Sequence, residues 1–183
     1  DMDNATTYWG KDASVCPGHS GVTKVHGACN GNGNQAVHET WQFWKHLALA
    51  GLIPGSYTGK PDPNPTYSHG NPGKNAPASR IRKGVFSVHS WDNTGNAADP
   101  YNFAVDYGNH FGFWVDSTLQ AVSPQEIWNI DTKIDDGLPA RGKLINIFYA
   151  DCTTAVDATS FDAQYKPISD KAFLCSFRYR LNQ

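Results

Sequence analysis

Residues 123–144, SPQEIWNIDTKIDDGLPARGKL, constrain the fold more than any other stretch, because one run encodes a helix, its stop and a following strand. Ser123 has the hydroxyl that an N-cap needs, and Pro124 suits the first helical position. Glu126 stands three residues after the cap, which completes a capping box. Ile127, Ile130 and Ile134 recur at helical spacing with Trp128 on the flank, and predict an apolar, core-facing stripe. Gly137 supplies the stop and Pro139 prevents continuation. Asp135 and Asp136 are out of place. They stand at the negative end of the helix macrodipole, where each acid costs roughly 0.3–1 kcal/mol unless something offsets it. Asp131 shares a helix face with Asp135, four residues later, and completes the acidic cluster. Three readings are open: Lys133, Arg141 and Lys143 neutralise the acids, water solvates them, or Asp131, Asp135 and Asp136 are calcium ligands.

A second helix is predicted over 38–50, HETWQFWKHLALA, where Trp41, Trp44, Leu47 and Ala48 share a face and Gly51 is the stop. Strand patterns follow at 84–91, 107–115, 143–150 and 173–181. The last alternates cleanly, with Phe173, Cys175, Phe177, Tyr179 and Leu181 on one face and Arg178 and Arg180 on the other, and reads as the closing strand of an antiparallel sheet. Residues 1–37 are broken by glycines, and 57–78 carry five prolines without periodicity, so both predict long irregular loops. Helices and strands are segregated along the chain. The expected class is α+β, with short helices packed on an antiparallel sheet. At 183 residues, one domain over 1–183 is expected.

The four cysteines allow three pairings, of which the local one, Cys16 with Cys29 and Cys152 with Cys175, is simplest. Two disulfides would place the chain in an oxidising compartment, periplasmic or extracellular. Cys16, His19, His26 and Cys29 also have zinc-ligand spacing, although the six residues between the halves are few for a finger. A net charge of −2 implies no polyanion-binding face, so no nucleic-acid partner is expected. The first ten residues, DMDNATTYWG, lack the basic start and apolar run of a signal peptide.

Catalytic patterns fail on inspection. His38-Glu39-Thr40-Trp41-Gln42 begins like a zinc-protease helix, but Gln42 stands where the second histidine is needed. Gly55-Ser56-Tyr57-Thr58-Gly59 does not place its serine as a nucleophile elbow does. The neutral amides of Asn30, Asn32 and Asn34 make a turn rather than a calcium loop. Asp157, Asp162 and Asp170 offer a further acidic loop between the last two cysteines. Loop aromatics Trp9, Tyr57, Tyr67 and Tyr101 are the only support for sugar binding.

Four segments carry a family resemblance: DMDNATTYWG; CNGNGN followed by ETWQFWKHLALAGLIPGSYTG; NAPASRI; and IWNIDTKIDDGLPARGKL. Together they resemble the globular head of bacterial type IV pilin-like proteins, including type II secretion pseudopilins. The cysteine-containing end that finishes in a strand is similar as well. The resemblance implies a pilin-like head and a non-enzymatic structural subunit of a pilus or pseudopilus filament. It also implies a long apolar helix ahead of residue 1, through which copies of the chain or sister pilins would assemble and which alone would touch the membrane. Heads of this kind can bind calcium, but no residue-by-residue match carries that site here. No cofactor is expected, with calcium the one candidate. The competing expectation is a secreted calcium- or carbohydrate-binding module.

Overall fold

The computed structural model describes residues 39–60, 62, 70–82, 84–114, 121–147, 152–166 and 175–181. The chain divides into two compact units, Asp1–Ser90 and Trp91–Gln183. The elements are helix α1 (Glu39–Leu49), strands β1 (Val85–Asp92) and β2 (Asp106–Trp114), helix α2 (Pro124–Ile134), and strands β3 (Leu144–Asn146) and β4 (Phe177–Arg180). The strands form one antiparallel sheet in the order β1-β2-β4-β3. The class is α+β, as the segregated patterns predict.

In the first unit, α1 is fastened to β1 by side chains that reach backbone groups. The Thr40 hydroxyl donates to Val88 O at 2.5 Å and accepts the Val88 N–H at 2.6 Å. Trp44 Nε1 donates to Phe86 O at 2.8 Å. Trp41, Trp44, Ala76, Val85 and Val88 are buried here. The helix ends as Gly51 predicts. That glycine has φ +69, Gly51 N–H donates to Ala48 O, and Leu52 N–H donates to Leu47 O, the two bonds of a Schellman cap. The described parts of 57–78 are an ordered loop. Thr58 N–H donates to Lys74 O, and buried Asp62 accepts from Lys74 Nζ at 2.8 Å and Asn71 Nδ2 at 3.0 Å.

In the second unit, β4 lies between β2 and β3, with Phe113 and Asn146 both opposite Phe177. The last strand is therefore interior, with both sides covered by hydrogen-bonded neighbours. Buried Phe103, Tyr107, Ala140, Ile145, Ala155 and Ala163 form one core cluster. β3 is shorter than the 143–150 run predicted. After Asn146 the chain turns to a single bridge between Ile147 and Asn102, and 148–150 lie outside the described residues. Cys152 and Cys175 are joined by a disulfide across a sequence separation of 23. Cys175 also bridges Val122, just ahead of α2. The expected partners Cys16 and Cys29 lie outside the described residues, as do His19, His26 and residues 30–34.

Two faces differ from expectation. On α2, Ile127 is buried, but Trp128 is 44% exposed, Ile134 is 50% exposed, and Asp131 is fully buried instead. On β4, Arg178 is only 7% exposed, while Leu181 just beyond the strand is exposed. Both reversals have the same cause: a polar side chain finds its partners far away in sequence.

Candidate functional site

The acidic end of α2 is the described place where chemistry-bearing side chains converge. The helix is set at its start by the predicted capping box, with Glu126 N–H donating to Ser123 Oγ at 3.2 Å and Ser123 N–H donating to Glu126 Oε2 at 2.8 Å. At its other end Asp135 is the C-cap, and Gly137 follows in the left-handed region at φ +75. Asp131, Asp135 and Asp136 can each turn one carboxylate oxygen to within 4.8 Å of the others.

Each acid is held by donors of this chain. Asp131 accepts the Tyr165 hydroxyl at 2.8 Å and the Gly137 N–H at 3.3 Å. Asp135 Oδ2 accepts the backbone N–H of Leu144 at 2.8 Å and also that of Lys143. Asp136 closes a turn onto Leu138 N–H at 2.8 Å. Gly142, at φ +70, lets the backbone pass so close to Asp135 that any Cβ there would collide with the carboxylate. This arrangement is not the side-chain clamp that Lys133, Arg141 and Lys143 suggest. Arg141 pairs with Asp162 and donates to Phe161 O, while Lys143 contributes its backbone N–H.

Burial pushes the Asp131 carboxyl up to about 6, and the charges of Asp135 and Asp136 add to the shift against the hydrogen bonds from Tyr165 and Gly137. The Tyr165 hydroxyl is raised well above its ordinary value, first by burial and then by the Asp131 charge. As a cation site, the three acids supply one oxygen each, whereas calcium takes about six to eight. Both oxygens of Asp131 already accept hydrogen bonds. The cluster is thus a partial oxygen cage that the fold itself uses.

A second polar cluster, in the core of the same unit, goes unmarked in the sequence. Arg178 on β4 donates from Nη1 to His110 Nε2 at 2.9 Å, and from Nη2 and Nε to Asn102 Oδ1 at 3.0 and 3.3 Å. Its guanidinium lies 5.3 Å from the centroid of the Tyr107 ring. Asn102 is held in turn by Asp99, which accepts its backbone N–H at 2.8 Å and its side-chain amide at 3.2 Å. Burial alone would raise Asp99, but the N–H donors of Tyr101 and Asn102 outweigh it and hold the carboxyl below the ordinary value. His110 is pushed down to about 4, chiefly by burial and next by Arg178. Alternation puts Arg178 and Arg180 on one face and cannot separate the buried one from the other. The only sequence signal is a histidine at 110 in the facing strand.

The remaining candidates are scattered or structural. Gln42 is buried, and Thr40 beside it is spent on Val88. Tyr57 donates to Pro54 O and Tyr101 is exposed, while Trp9 and Tyr67 lie outside the described residues. Asp157 caps its own turn through Thr159 and Ser160, Asp162 takes Arg141, and Asp170 lies outside the described residues. No helix among the described residues is long and apolar enough to cross a membrane. No family model, curated protein or solved structure matches this chain.

Proposed function

We propose that this chain is the head of a type IV pilin-like or type II secretion pseudopilin subunit, a structural rather than catalytic protein exposed in the periplasm or outside the cell. The observation that carries the reading is the build of the C-terminal end. A disulfide closes the segment between Cys152 and Cys175, and the strand that follows it, β4, is seated between β2 and β3. That construction fixes the segment after the disulfide to the sheet, which suits a subunit packed among neighbours in a filament. It also accords with the resemblance carried by the helix–turn–strand segment at 123–144. Oxidation of the Cys152–Cys175 pair favours an oxidising compartment. In this reading, copies of the chain or sister pilins meet mainly through an apolar helix encoded ahead of residue 1.

The test is the coding sequence upstream of Asp1, together with the full-length product in cells. A prepilin cleavage site followed by an apolar helix, and recovery of the protein in sheared surface or periplasmic filaments, are the expected results. An upstream region encoding neither feature sinks the proposal. A secreted calcium-binding module is the second reading, and the convergence of three carboxylates within 4.8 Å favours it. Calorimetric titration of the 183-residue chain with calcium, together with a glycan panel, separates the two, because a filament head should bind no glycan. Saturable binding that disappears in Asp136→Asn supports the module.

A further inference from the structure

Arg178 and His110 face each other across β4 and β2, and their chemistry fixes the protonation state of the histidine. A guanidinium can only donate, so His110 Nε2, 2.9 Å from Arg178 Nη1, must present a lone pair. The other ring nitrogen, Nδ1, stands 3.0 Å from Gly108 O, an acceptor, and must carry the proton. A single neutral tautomer satisfies both contacts. Adding a proton at Nε2 sets N–H against N–H and puts two cations at hydrogen-bond distance in the core. The charged and titratable groups around the ring are Arg178 and Arg180 from β4, Tyr107 from its own strand, and Asp99 acting through Asn102. Asp99 already accepts from the backbone of Tyr101 and Asn102 and from two asparagine side chains.

We infer that His110 is an acid-sensitive latch on the C-terminal strand: its neutral form holds Arg178 in the core, and its protonation releases β4 from β2. The disulfide at Cys175 keeps the start of that segment tethered to Cys152, so the event is a local opening and the strand can return. The histidine takes a proton near 6.5 when freed but only at about 4 in its seat. Open molecules therefore bind the proton that closed ones exclude. The open population rises about tenfold for each pH unit below 6.5 and levels off below about 4. The inference concerns the head itself and holds whether or not the chain assembles into filaments.

The test is amide hydrogen exchange on the 183-residue chain across pH 7 to 4, corrected for intrinsic rates. Wild type is compared with His110→Gln, whose side-chain oxygen accepts from Arg178 without titrating. Protection of Phe177–Arg180 should fall about tenfold per pH unit in wild type and stay level in the variant. Nitrogen-15 histidine spectra of wild type should show the Nδ1–H tautomer of His110 persisting to about pH 4. The inference is overturned if both proteins lose protection in parallel, or if wild type loses none. It is equally overturned if His110 titrates near 6.5 or is an Nε2–H tautomer at neutral pH. Should His110→Gln fail to fold, the wild-type histidine spectrum decides alone.

Discussion

Replacing Asp131 by Asn should make the protein more stable at neutral pH, although it deletes a hydrogen-bonded side chain. The fully buried carboxyl has its titration point moved from 3.8 to about 6, and at 1.36 kcal/mol per unit this amounts to about 3 kcal/mol. The direction follows from proton counting. Between those two values the folded chain binds the proton more tightly than the unfolded chain, so stability is greatest below 3.8 and is lost as pH rises to about 6. The replacement amide carries no charge at any pH. Its oxygen can accept the Gly137 N–H and its NH₂ can donate to the Tyr165 oxygen, so the one loss is the acceptor of the Tyr165 O–H, about 1–3 kcal/mol. Asp131→Asn should therefore gain up to about 2 kcal/mol at pH 7, after the Tyr165 loss, and nothing near pH 4.

Urea unfolding in calcium-free buffer, followed by exchange of α2 and β3 amides over pH 4 to 8, measures the difference. A variant less stable than wild type at pH 7 would refute the reasoning, because it would mean that the ionised carboxylate is needed. Repeating the series with excess calcium identifies the agent that needs it. If calcium stabilises wild type and not the variant, a cation offsets the three acids and the module reading gains.

Four further variants probe the same framework. Gly142→Ala should cost about 3 kcal/mol or more, since the new methyl displaces Asp135 from the N–H groups of Lys143 and Leu144, whereas Gly95→Ala, at φ +82 in open space, should cost only about 1–2 kcal/mol; thermal melts of both compare the two. Replacing Cys152 and Cys175 together by Ala should lower stability by about 3 kcal/mol, from the entropy of a closed segment with separation 23, and denaturant midpoints at equal slope check it. Thr40→Val keeps the shape but strands both Val88 backbone groups in a buried place; about 2–4 kcal/mol should be lost, with faster exchange of the Val88 amide.

Local devices were legible in the sequence and remote pairings were not. The capping box at Ser123, the Schellman glycine at 51 and the stop at Gly137 each depend on groups within a few residues, so spacing alone encodes them. Trp41 and Trp44 are buried where helical periodicity puts them. The stripe on α2 shows the limit. Ile127, Ile130 and Ile134 centre on a direction about 60° from the arc that Pro124, Ile127 and Asp131 actually bury, a little more than half of one 100° residue step. Hydrophobicity favours the first arc. The structure takes the second because Tyr165, 34 residues downstream, offers Asp131 a buried hydroxyl. Arg178 is the parallel case, since its acceptors come from Asn102 and His110, 76 and 68 residues away. The three acids are grouped as the sequence suggests, but the backbone amides that hold Asp135 have no signature except the glycine at 142.

The second unit thus buries two titratable groups whose effects oppose each other. Asp131 removes stability as pH rises from 3.8 to about 6, while His110 removes it as pH falls from 6.5 to about 4. Each slope is about 1.36 kcal/mol per pH unit, and the windows nearly coincide. Global stability of the unit should therefore look flat across mildly acidic pH even though both sites change protonation there. A flat profile in this protein is a balance of two buried strains rather than the absence of any. Asp131→Asn should unmask the histidine and make acid destabilising; His110→Gln should unmask the carboxyl and make acid stabilising. The cancellation is only global. Locally, proton uptake relieves the α2 turn and loosens β4, so the same drop in pH tightens one part of the second unit and frees another.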